Sequence, residues 1–86
     1  MGQMPSGRVF DDTVFARRLR TRRKELSLTQ EDLAEATGIN RNTIQRYEMS
    51  MRIPTLGFAW RLSEALGCTL DWLSGHDVMP SEGVGR

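Results

Sequence analysis

The stretch QEDLAEATGINRNTIQRYE, Gln30 to Glu48, decides how the chain folds. Two short helical patterns meet in it at a glycine. Leu33 and Ala34 make the inward side of the first, and Ile44 and Tyr47 make the inward side of the second. Between them stand Gly38, able to take a left-handed backbone conformation, and the apolar Ile39. A small Ala34 lets two helices cross closely and Gly38 lets the chain turn tightly, so the spacing predicts a helix-turn-helix. The flanks agree. Thr29 can cap the first of these helices, with Asp32 three residues on as the acidic partner of a capping box, and Asn40 can cap the second through Glu48 or Met49.

Only Ile44 and Tyr47 seat this second helix, which leaves Arg41, Asn42, Gln45 and Arg46 to be explained. With Ile44 at zero and about 100° per residue, Gln45 falls near 100°, Asn42 near 160° and Arg46 near 200°, with Arg41 at the border. The outward face therefore carries amides and guanidinium groups. These pair bidentately with adenine and guanine in a major groove wide enough to admit a helix. A face selected only for solubility would favour Glu, Lys and Ala, which are better helix formers than Asn and Thr.

The remaining elements follow from their punctuation. Asp11 or Asp12 opens a helix running to about Leu26, with Phe15, Leu19 and Leu26 on one face. After Pro54, Thr55 caps a helix whose Leu56, Ala59, Leu62 and Leu66 form the stripe, and Gly67 stops it. Thr69 to Ser74 fits one or two more turns, closed by Gly75. The expectation is an all-α domain over residues 11–75, between a disordered segment 1–10 and a flexible tail 76–86. Met1–Ser6 fits the permissive N-myristoylation template, but no polybasic partner lies beside it and a disordered start is the preferred reading.

Composition narrows the function classes. A chain of 86 residues, 38% hydrophobic and 27% charged, suits one small globular domain. The net charge of +1 hides an uneven distribution: residues 1–28 carry +4, 29–37 carry −3, 38–61 carry +3 and 62–86 carry −3. Two basic segments of this kind suit a polyanionic partner. The lone Cys68 makes no internal disulfide and reads as a small apolar filler; no metal-ligand spacing, cofactor motif or membrane-length apolar run is present. A cytoplasmic protein is expected. Ser74 to Asp77 contains triad residue types, but neighbours in sequence cannot adopt triad geometry, so no enzyme is expected and His76 is read as a surface residue.

Some charges stand where apolar residues belong. Glu48 lies one turn beyond Ile44 and points at the core, so it needs a cation, and Arg22 or Arg23 of the first helix can supply it. Helical geometry does not choose between them. In the same run, Arg17, Arg20 and Lys24 lie opposite the apolar face and read as solvated groups adding a long-range positive field.

LSLTQEDLAEATGINRNTIQRYEMSMRIP followed by LSEALGCTLDWLSG resembles the Xre-type, lambda-repressor-like helix-turn-helix family of Cro and phage repressors, over about Phe15 to Gly75. Thr29-Gln30, Leu33-Ala34, Gly38-Ile39, Ile44, Glu48, Pro54, Ala65-Leu66-Gly67 and Leu70-Asp71-Trp72-Leu73 all fall in register. The resemblance implies a compact five-helix DNA-binding domain whose third helix reads the major groove with Arg41, Asn42 and Arg46, to which Gln45 is added from its place on the face. It also implies that Thr29 and Gln30 clamp a phosphate at a helix N-terminus and that Arg23, not Arg22, partners Glu48. Thr43, Arg52 and Thr55 complete the candidate phosphate contacts.

By the same resemblance the chain is a transcriptional regulator, expected to repress, that acts as a homodimer on a palindromic DNA operator, with Leu70, Trp72 and Leu73 as the candidate dimer surface. Trp72 and Leu73 serve equally to close the core. Two departures stand out. Many members carry Gly where this chain has Ser50, and Met49 and Met51 replace polar or basic groups in the loop that follows, so binding is expected to lean more on dimerisation or on a partner packed against the methionines. The alternative is an antitoxin or adaptor that kept the fold and binds a protein partner.

Overall fold

The computed structural model describes residues 10–76, and within them five helices follow one another with no strand. They are α1 (Asp12–Glu25), α2 (Gln30–Thr37), α3 (Arg41–Glu48), α4 (Leu56–Leu66) and α5 (Leu70–Ser74). The Met1–Ser6 template and nearly all of both expected terminal segments lie outside the described residues.

Each helix begins on a side-chain cap that satisfies an otherwise orphaned amide. Asp11, Thr29, Asn40, Thr55 and Thr69 accept from the amides of Thr13, Asp32, Asn42, Phe58 and Trp72. The capping box of α2 is complete, because the Thr29 amide also donates to Asp32 at 2.9 Å and holds that carboxyl below its ordinary pKa. Gly38 ends α2 with φ 77, a left-handed conformation that sends the chain into α3 after two residues. Ser50 adopts the same region at φ 60, a conformation uncommon for a residue other than glycine.

The core gathers Phe15 and Leu19 of α1, Leu33 of α2, Ile39 of the turn, Ile44 and Tyr47 of α3, Leu62 and Leu66 of α4, and Leu73 of α5. Phe15 meets Tyr47 edge-on at 6.0 Å, which joins α1 to α3. The buried Thr37 hydroxyl donates to the Leu33 carbonyl at 2.8 Å and accepts from the Ile39 amide at 3.2 Å, so the turn between α2 and α3 leaves no polar group stranded there. Cys68 is half-buried against this core, and burial pushes its thiol pKa up.

Two apolar expectations fail. Leu26 does not continue the stripe of α1; it is the C-cap, already outside the helix, and is 38% exposed. The inward place one turn beyond Leu19 belongs to Arg23. Leu56 is 76% exposed, because it is the first residue of α4 and that end overhangs the core that Leu62 and Leu66 enter. The basic run of α1 divides by helical period. Arg18 donates to the Trp72 carbonyl at 2.6 Å and lies over its indole, and Arg22 donates to the Leu66 carbonyl at 2.8 Å, which ties α1 to α5 and α4. Arg17, Arg20 and Lys24 face outward.

Candidate nucleic-acid interface

Helix α3 is sharply two-sided. Ile44 is fully buried and Tyr47 is 2% exposed, while Arg41, Asn42, Gln45 and Arg46 are all exposed. Thr43 is half-buried beside them. None of the exposed four is covered by another described element. Arg41 alone of them has an ionic partner, Glu31 of α2, whose Oε1 lies 3.4 Å from Arg41 Nε.

The Glu48 carboxylate sets how this face is held. Arg23 donates to it twice, from Nε at 2.7 Å and Nη2 at 2.9 Å, and Gln30 Nε2 donates at 3.1 Å. Arg23 Nη1 turns to the Leu28 carbonyl at 2.8 Å. The ionic hydrogen bonds raise the Arg23 pKa, against the opposing effect of burial. One carboxylate thus links α1, the loop before α2, the N-terminus of α2 and the C-terminus of α3. The structure selects Arg23 where helical geometry left Arg22 open; Arg22 pairs with Glu25 instead.

The candidate phosphate contacts divide in availability. The Thr29 amide donates to Asp32 and the Thr29 hydroxyl accepts from the Asp32 amide, so the hydroxyl proton of Thr29 and the amides of Gln30 and Glu31, in the first turn of α2, are the donors left to meet an anion there. Gln30 commits one amide hydrogen to Glu48 and keeps the other. Arg52 and Thr55 are exposed beyond α3, with the Thr55 hydroxyl accepting from the Phe58 amide at 3.1 Å.

By sequence Arg20 and Lys24 are solvated groups that add a long-range positive field. The fold lines them along a cleft of about 320 Å³ with Gln30, Gln45 and Met49, next to the exposed face of α3. Neither has an ionic partner among the described residues. Their signal was the 17, 20, 24 spacing on one helical face, but only packing of α1 on α3 shows what that face adjoins.

The candidate dimer residues are less accessible. Leu73 is 1% exposed and belongs to the core, Trp72 is half-buried under Arg18, and Leu70 is half-buried. Exposed apolar surface lies instead at Ile53, Leu56 and Trp60. An apolar groove of about 470 Å³ runs past Phe10, Ile53, Leu56 and Leu70 and includes no residue of α3. Among the described residues no group of acidic, histidine or cysteine side chains could hold a metal, and no helix is long and apolar enough to cross a membrane.

A tight α2–α3 turn, an outward face of amides and guanidinium groups, and free amides at the α2 N-terminus define a helix-turn-helix DNA-binding domain. Residues 19–73 match the helix-turn-helix family HTH_3, and the chain belongs to that family. Over 49 residues it is 49% identical to an HTH-type transcriptional regulator from Methanothermobacter thermautotrophicus, a match covering 57% of this chain and 71% of that one. Its fold is similar to that of the P22 c2 repressor in complex with a synthetic operator, with TM-score 0.72, 33% identity, and 74% of this chain and 97% of that one covered. It is also similar to the restriction-modification controller protein C.AhdI from Aeromonas hydrophila, with TM-score 0.70, 32% identity, and 73% and 96% of the two chains covered. The Xre and Cro-like resemblance therefore holds, and the protein is a DNA-binding transcription regulator rather than an enzyme.

Proposed function

We propose that the protein represses transcription as a homodimer, with α3 of each copy in successive major grooves of a palindromic operator about 34 Å apart. The observation that carries this reading is the division of α3 into a buried Ile44–Tyr47 side and an exposed side of Arg41, Asn42, Gln45 and Arg46. Asn42 and Gln45 suit adenine, and Arg41 and Arg46 suit guanine. Thr29, Gln30, Thr43, Arg52 and Thr55 follow the backbone on either side, joined by Arg20 and Lys24 of α1. The similar P22 c2 repressor is in complex with a synthetic operator, which supports operator DNA as the partner of this chain. The setting is the cytoplasm.

Selection of bound sites from random duplexes, followed by equilibrium titration of variants, tests it. Arg46→Ala is expected to cost about 1 to 3 kcal/mol and to relax preference at one base pair. Gln30→Ala is expected to weaken every sequence alike. Replacing Arg20 and Lys24 together by Gln is expected to lower the slope of log affinity against log salt by about two, without changing which site is preferred. Equal affinity of the wild type for all duplexes at moderate salt would remove the base-reading role.

The apolar groove favours a second reading, the antitoxin or adaptor with a protein partner seated past Ile53 and Leu56. Sedimentation of the pure chain with and without operator separates the two. A homodimer brings two chains to one operator, whereas an adaptor remains a single chain on any duplex.

A further inference from the structure

Glu31 stands where an acid is costly to a DNA-binding surface. It lies in the first turn of α2, next to the free amides that suit a phosphate, and its side chain is 64% exposed. An anion in that position repels the backbone it adjoins. The usual reason for such an acid, complementing the positive end of a helix, is already met by Asp32, which closes the capping box on Thr29.

Glu31 is also the ionic partner of Arg41. The closest approach is from Oε1 to Arg41 Nε, at 3.4 Å, an ionic contact with no hydrogen bond between the two side chains. Among the described residues no hydrogen bond occupies either terminal nitrogen of Arg41, which leaves that pair of donors for the N7 and O6 of a guanine. Both partners sit on helices whose relation is already fixed, by the Gly38 turn and by the Glu48 network that binds the first residue of α2 to the last of α3.

We infer that Glu31 is a positioning residue for Arg41, its charge drawing the guanidinium over on the Nε side so that the terminal nitrogens are presented to one guanine of the operator. This rests on the base-reading role proposed for α3. An ion pair so exposed does little in water. In the groove, where base edges replace the solvent, the same pair acts in a lower dielectric and restricts a side chain that otherwise loses much rotamer freedom on binding.

The proposal separates two quantities that a merely repulsive acid would move together. Glu31→Gln removes the ion pair while keeping the side-chain shape. It is expected to reduce preference at a single base pair by roughly three- to tenfold, the ordering cost of one long side chain. The affected base pair is the one at which Arg41→Ala loses preference, and binding to random duplex is unchanged or tighter because a negative charge has gone. In an Arg41→Ala background the same substitution is expected to leave that preference unaltered, since the two residues act as one unit.

The measurement is a set of titrations of the whole chain against the selected site, its single-base-pair variants and a random duplex, with thermal melts to show that each variant is folded. If Glu31→Gln tightens every duplex equally while preference stays intact, Glu31 only repels backbone and the inference is overturned. If Arg41→Ala itself weakens all sequences alike, the base-reading role of Arg41 falls first, and that result is distinct from the former.

Discussion

Glu48→Ala is expected to destabilise the domain by about 3 to 5 kcal/mol, the effect of leaving one member of a buried ion pair uncompensated. The carboxylate is 4% exposed and Arg23 is 10% exposed, so neither can turn to water without opening the contact between α1 and α3. For a domain of this size that loss lowers the melting temperature by roughly 12 to 40 °C. Replacing both partners by Met and Leu is expected to recover most of the stability, because the burial of charge then disappears with its compensation. Gln30 would still lose its acceptor, and with it the link between the α2 N-terminus and α3. A double variant that melts like the wild type but binds every duplex more weakly would place the value of the pair in orientation. One that melts as low as the single variant would show that the hydrogen bonds of the pair, including those to the Leu28 carbonyl and Gln30, stabilise the fold beyond what apolar packing replaces.

Ile44→Ala is expected to cost about 2 to 4 kcal/mol, from the lost apolar contact and the cavity left at a fully buried site. One residue along, Gln45→Ala is expected to change stability by less than about 0.5 kcal/mol, since Gln45 is exposed and packs on nothing that the fold needs. Chemical denaturation measures both. The contrast tests the division of α3 directly: equal stability losses would mean that the outer face is part of the core of some larger assembly, and its polar groups would need another explanation.

Much of the fold was legible because short helices announce their ends. The caps Thr29, Asn40 and Thr55, and the stops Gly38, Gly67 and Gly75, are chosen by backbone chemistry within a few residues, and all were readable as letters. The two-sidedness of α3 was readable for the same local reason. The errors at Leu26 and Leu56 arose where periodicity was carried past a helix end, for a stripe of apolar letters does not say which of them overhangs the core. Leu73 shows the same limit from the other side: an apolar residue on a five-residue terminal helix served core or partner equally until packing placed it at 1% exposure.

By itself the sequence determined the five helices, the tight turn between the second and third, and the types of side chain turned outward on the third. Those depend on hydrogen bonds and steric limits within one turn of the chain. Tertiary structure decided which arginine meets Glu48, that Gln30 joins them, that Arg20 and Lys24 border the exposed face of α3, and that Glu31 reaches Arg41. Each of these pairs residues on different helices, and their distances are set by how the core holds the helices against one another.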